Sequence, residues 1–299
     1  MIKTENLCKA FGKLQAVHNV TLSIADNCIF GLAGTNGAGK STLLRMLSGV
    51  LKQDSGKISI DDREVYENPE VKEDIFFLPD TAYFFQNATM KDMADYFSMY
   101  YPRYDKDRFH KLVKNLGLDE KRKISTFSKG MKRQASLLLG VCSGTKYLFC
   151  DETFDGLDPV MRQAAKSILA YEVTEREFTP VIASHNLREL EDICDHVGLL
   201  HKGGMLLSKE LDDMKLNIHK IQCVLSPGME PEDMVALDKI KIERRGSLLT
   251  LTVRGSREEI EALIADYHPV FAEIIPLSLE EIFISETEVA GYDIKKLIL

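Results

Sequence analysis

Nine consecutive residues constrain this chain more than any others. Gly34-Thr35-Asn36-Gly37-Ala38-Gly39-Lys40-Ser41-Thr42 fits the spacing G-x-x-x-x-G-K-[ST]. Residues 28–33 before it form an almost continuous apolar run, as a strand covered on both faces does. A helix-like stretch over residues 41–48 follows at once. Strand, glycine-rich loop and helix in that order make a phosphate cradle. The glycines let backbone N–H groups converge on phosphate oxygens, and the helix N-terminus favours an anion. Lys40 then reaches the β and γ phosphates, and the Ser41 hydroxyl can ligate Mg²⁺.

The rest of the first two thirds repeats the alternation of short apolar runs with amphipathic ones. Val20, Leu22 and Ile24 alternate as in a half-buried strand, and buried-strand runs recur at residues 75–78, 147–150 and 180–183. Each is followed by polar residues and then helical spacing. The fold class expected is α/β, with the ligand beyond the carboxyl ends of the strands. Near residue 217 the pattern changes to strand (221–225), helix (232–237), strand (240–244), strand (248–254), helix (257–266) and strand (270–275), with a hairpin turn at Arg245-Gly246-Ser247. That β-α-β-β-α-β order is the order of a small α+β, ferredoxin-like sandwich. The expected division is therefore 1–217, with a helical subdomain over about 83–143, then 218–288 and a tail over 289–299.

Composition excludes several classes. With 44% apolar and 28% charged residues over 299 positions, the chain can bury about two cores and is neither disordered nor fibrous. Residues 220–299 carry 9 basic against 15 acidic side chains, so no nucleic-acid-binding tail is expected. No apolar run approaches the roughly 18 residues that span a bilayer, and the start lacks a signal-peptide core. The six cysteines include no close pair and several sit in apolar runs, as small buried hydrophobes in a reducing compartment do.

Further motifs follow in order. Tyr147-Leu148-Phe149-Cys150-Asp151-Glu152 is an apolar strand ending in two carboxylates. Asp151 can hold Mg²⁺, and Glu152 can orient the attacking water and accept its proton. Phe127-Ser128-Lys129-Gly130-Met131 opens a helical run in which Ser128, read alone, is an N-cap. Gly156-Leu157-Asp158 and Ser184-His185-Asn186 come after the carboxylates.

This series resembles the ATP-binding cassette of ABC transporters over residues 1 to about 217. The resemblance implies a P-loop NTPase of the ABC type, a mixed sheet with a helical subdomain, binding ATP and Mg²⁺. It also implies two cassettes, as homodimer or heterodimer, that sandwich ATP at their interface. Ser128 and Gly130 would contact the γ-phosphate of the partner's nucleotide, and Asp158 would touch the opposite site. His185 matches the switch histidine, and Phe11 the aromatic that stacks on adenine. An integral membrane permease is the implied partner, with the chain peripheral on the cytoplasmic face of the cell membrane. Some positions depart from the family pattern. Asp80 stands where Gln is usual and is expected to reach Mg²⁺ through water, Lys129 and Met131 replace Gly and Gln, and Thr153-Phe154 replaces Pro-Thr. Leu277-Ser278-Leu279-Glu280-Glu281-Ile282-Phe283 is similar to the Ser-Leu-Glu-x-x-Phe ending of exporter cassettes for drugs, antibiotic peptides and ions. The same residues also read as an ordinary amphipathic helix. The alternative function that such a fold permits is a soluble ATPase acting on DNA or the ribosome, or a regulatory ATP-binding protein.

Overall fold

The computed structural model describes residues 1–211, 213 and 218–289. The chain divides into compact units Met1–Ser208 and Lys209–Leu299. The pattern change at residue 217, and all but the first residue of the expected tail, lie outside the described residues.

In the first unit, β2 (Leu14–Ile24), β1 (Ile2–Phe11), β4 (Ser55–Ile60) and β5 (Arg63–Glu64) form an antiparallel sheet in that order. Val20, Leu22 and Ile24 are buried while Thr21 and Ser23 between them are exposed, the alternation of a sheet with one wet face. A second sheet runs β10 (Gly204–Glu210), β9 (His196–His201), β3 (Phe30–Ala33), β8 (Thr179–Ser184), β7 (Tyr147–Asp151) and β6 (Ile75–Leu78). Its five strands from β9 to β6 are parallel. Every residue of β3, β7 and β8 is buried, which is why their sequences read as unbroken apolar runs.

Parallel pairing decides where the chemistry collects. Ala33 pairs with Ser184, Asp151 with Ala183, and Leu78 with Cys150, so the carboxyl ends of β3, β8, β7 and β6 lie along one edge. Short helices α1 (Lys40–Leu47) and α2 (Pro69–Lys72) accompany the early strands. A separate core, built around Met90, Met93, Phe109, Val113 and Phe127, gathers α3 (Met90–Tyr100), α4 (Lys106–Asn115) and α5 (Lys129–Val141). A capping box between Thr89 and Asp92 starts α3. Helices α6 (Pro159–Glu175) and α7 (Leu187–Ile193) flank β8 in sequence.

The second unit pairs β12 (Asp238–Arg245), β13 (Leu248–Arg254), β11 (Ile218–Val224) and β14 (Phe271–Pro276) in that order, antiparallel throughout. This is the strand order of the ferredoxin-like sandwich. Arg245 faces Leu248 across a two-residue turn in which Gly246 takes φ +62°, as a tight hairpin needs. Helices α8 (Arg257–Asp266) and α9 (Leu279–Val289) complete the unit. The helix expected over 232–237 is reduced to a single 3₁₀ turn, Pro231–Asp233. The backbone here closes i→i+3 turns, Met234 N–H donating to the Pro231 carbonyl and Leu237 N–H to that of Met234, both at 3.3 Å, and Lys239 Nζ donates to the same two carbonyls at 3.0 and 2.8 Å. Met234 and Leu237 still reach the core.

Candidate active site

The phosphate loop leaves β3 at Ala33 and enters α1 at Lys40. Two close approaches demand glycine. A Cβ on Gly34 would lie 2.5 Å from the Leu200 carbonyl oxygen. One on Gly39 would lie 2.2 Å from that of Ala16, at a residue whose φ is also +103°. Thr35, Asn36 and Gly37 form the exposed crest, and the Ala38 N–H beneath them donates to the Thr35 carbonyl at 3.1 Å. Lys40 is buried along the loop, its Nζ donating to the carbonyls of Gly34 at 2.8 Å and Thr35 at 3.3 Å. Ser41 and Thr42 follow, half-buried, in the first turn of α1.

Ser41 Oγ donates to Asp151 Oδ1 at 2.8 Å. Asp151 ends β7 fully buried, and that burial pushes its carboxyl above the ordinary carboxylate range. The Ser41 hydrogen bond and the charge of Arg45 oppose the shift, whereas the charges of Glu152 and Asp80 add to it. Two oxygen donors, one of them a carboxylate held dry at an electrostatic cost, suit a hard divalent cation such as Mg²⁺.

Glu152 sits at φ +50°, a left-handed conformation that a non-glycine residue keeps only where its surroundings hold it. Its N–H donates to the Ala183 carbonyl at 3.0 Å, and its own carbonyl accepts from Arg133 Nη1 at 2.6 Å. Turned in this way, the side chain meets two groups. Oε1 lies 3.3 Å from Lys40 Nζ, and Oε2 lies 2.8 Å from His185 Nδ1. The carboxylate selects the tautomer with its proton on Nδ1, which leaves Nε2 of the half-exposed imidazole as the free ring nitrogen.

The structure thus brings Lys40, Ser41, Asp151, Glu152 and His185 into one site. The remaining candidates make no hydrogen bond to that group among the described residues. Phe11 ends β1 half-exposed with Lys9 Nζ 5.8 Å from its ring centre. Ser128 caps α5, its Oγ accepting from the Met131 N–H at 3.2 Å. A Cβ on Gly130 would meet the Gly156 carbonyl at 3.3 Å, so these two loops are neighbours. Asp158 caps α6 by accepting from the Met161 N–H at 2.9 Å. Asp80 is engaged by Arg133, whose Nη2 donates to its Oδ1 at 2.8 Å.

Arg133 is the residue that sequence reasoning missed. It is 6% exposed and reaches Asp80 together with the carbonyls of Glu152 and Asp155. One signal was available. Arg133 precedes Leu137 and Gly140 by four and seven positions on the buried face of α5, where a cation is out of place unless paired.

The ABC transporter family matches residues 17–155 of the chain. The ATP-binding protein YtrB of Bacillus subtilis is 30% identical over 290 residues, covering 96% of this chain and 98% of that protein. The chain belongs to the ABC transporter ATP-binding family. The bacitracin transport ATP-binding protein BcrA of Bacillus licheniformis is 30% identical over 218 residues, covering 72% of this chain and 71% of that protein. Solved cassettes share the fold. The ATP-binding subunit of an ABC transporter superposes with a TM-score of 0.66 at 23% identity, covering 72% of this chain and 92% of that one. A dimeric cassette in a post-hydrolysis state, bound to ADP and Pi, gives 0.61 at 19% identity, covering 71% and 99%. The cassette described here is accordingly the ATP-binding ATPase subunit of an ABC transporter. No helix among its described residues is long and apolar enough to cross a membrane.

Proposed function

We propose that the cassette hydrolyses ATP with Glu152 as the residue that orients water and accepts its proton, and that it powers export through a separate membrane permease. The placement of Glu152 between Lys40 and His185 carries this reading. Contacts to Lys40 and His185 at its two oxygens hold the carboxylate at the phosphate cradle, and general-base action depends on such reach. Lys40 and the N-terminus of α1 bring positive charge to the transferred phosphoryl group, and His185 fixes the carboxylate that handles the proton. Mg²⁺ held by Ser41 and Asp151 would neutralise charge on the β and γ phosphates.

Among the described residues Ser128, Gly130 and Asp158 make no hydrogen bond to this cluster, which supports a second copy of a cassette as the structure they serve. The N-terminus of α5, at Ser128, would then face the partner's nucleotide. The permease contact we assign to the aromatic surface between α3 and β6. There a groove of 450 Å³ is lined by Phe76, Phe84, Phe85, Tyr96 and Tyr101 among others. Met93 is buried in the helical core, whereas Tyr83, Met99 and Tyr100 are 61–77% exposed. An exposed aromatic rim of this kind suits a helix of the permease. Export is supported by relatives named for bacitracin and lantibiotic transport, and the site of work is the cytoplasmic face of the membrane.

Affinity purification from gently solubilised membranes, followed by ATPase assay of the captured complex, tests this reading. A near-stoichiometric polytopic membrane protein together with ATP turnover is expected. Capture of ribosomal proteins or DNA instead would return the cassette to the soluble ATPases.

A further inference from the structure

We infer that Asp80 acts through Arg133 as a positioning pair that holds the backbone of Glu152, a role that rests on the catalytic reading of Glu152 above. Arg133 is almost wholly buried, and a buried guanidinium persists only where both its donors and its charge are answered. The carbonyls of Glu152 and Asp155 answer donors but carry no charge. The counter-charge at hydrogen-bond distance is Asp80, at 2.8 Å, while the Asp155 carboxylate stands off at 3.8 Å. One side chain therefore ties three segments together: the loop after β6, helix α5 and the turn after β7.

That turn contains the left-handed Glu152. Beyond the Arg133 bond, its carbonyl is held among the described residues only by the Asp155 N–H at 3.3 Å. Release of the guanidinium would leave a strained peptide with one long hydrogen bond, free to rotate and carry the carboxylate off Lys40 and His185. Among the described residues Asp80 makes no hydrogen bond to these reacting groups, and its effect on turnover is expected to pass through Arg133. Because Arg133 lies on the helix that Ser128 caps, the pair also links that helix to the water-handling carboxylate.

A double-mutant cycle with Mg²⁺ titration tests the pair. Asp80 is more than half exposed, so Asp80→Asn is expected to fold. It should lower kcat about tenfold, the scale of coupling within one charged network, with KM for ATP and half-saturating Mg²⁺ unchanged. Arg133→Gln should lose at least as much, and the double variant Asp80→Asn/Arg133→Gln should be no worse than Arg133→Gln alone. Asp80→Glu should recover part of the loss. Losses that multiply would overturn the inference, as would an Asp80→Asn variant whose main change is a higher Mg²⁺ requirement, which would make Asp80 a ligand-side residue. If Arg133→Gln does not fold, Arg133→Lys replaces it, keeping the charge and removing the planar fork. Glu152→Gln serves as control. Parental turnover in that variant would sink the catalytic reading and the pair with it, whereas an inactive Glu152→Gln beside an additive cycle would sink the pair alone.

Discussion

The mostly parallel sheet of the first unit and the antiparallel sheet of the second are of opposite kind, and only the former concentrates chemistry. In the first, parallel strands β3, β7 and β8 end along one edge, so residues as far apart as Lys40, Glu152 and His185 meet there. In the second, antiparallel strands end alternately at both edges, and the ion pairs are separate and exposed and do not converge on one point. Lys220 pairs with Glu281, Arg244 with Glu230 and Arg257 with Glu261, all at 2.6–2.8 Å and all at least partly exposed. Such exposed pairs contribute little. Parallel strands thus gather strand-end residues of distant sequence along one edge, where a site can form.

The sharpest way to break this contrast is at the confluence itself. Glu152→Gln should lower ATP turnover by about two to four orders of magnitude while ATP binding persists, the usual worth of a general base; single-turnover hydrolysis measures it. In the second unit, Ile221→Ala should instead cost about 2–5 kcal/mol of that unit's stability, since Ile221 is fully buried in its core, yet leave turnover within about twofold. Denaturant unfolding followed beside ATPase assay checks both halves, and a large loss of turnover would mean that the units are coupled. Gly39→Ala should weaken ATP binding about tenfold or more, because the new methyl group would collide with the Ala16 carbonyl at a residue already left-handed. Fluorescent nucleotide titration would show it.

The smallest effect expected has the opposite sign. Burial raises the Asp151 carboxyl above the ordinary range, so the ionised form destabilises the folded cassette at neutral pH. Asp151→Asn should therefore raise the thermal midpoint by a few degrees in nucleotide-free solution. This gain should shrink as pH falls through the raised value, and vanish below the ordinary value of 3.8. A lower midpoint at neutral pH would show that the charge is compensated.

Legibility in the sequence followed the same division. The phosphate loop and the Asp151-Glu152 strand end could be read because each places its whole signal within ten residues, and the spacing itself expresses the required backbone. The strands over 75–78 and 248–254 appear at those bounds because apolar runs and alternation are local too. Arg133 could not be read in this way. Its three acceptors come from Asp80, Glu152 and Asp155, which only the folded sheet brings to one helix face. The helix expected after β11 is replaced by i→i+3 turns whose carbonyls also accept Lys239 Nζ, a contact from the following strand that local spacing does not express. The Ser278-Leu279-Glu280-Glu281 segment is a helix start, with Ser278 and Glu281 capping each other and Leu279 and Ile282 buried.

The six cysteines are all free thiols, five of them buried, with Cys8 alone half-exposed on β1. Burial pushes Cys28 up to about 11 and Cys142 and Cys150 up to about 12. At neutral pH these sulfurs carry almost no thiolate, the form that alkylating dyes attack. A reporter thiol placed on an exposed surface would therefore be labelled against a background of essentially one site. Replacing Cys8 would leave a nearly silent chain, on which paired labels could follow two cassettes closing over ATP without dismantling the native core.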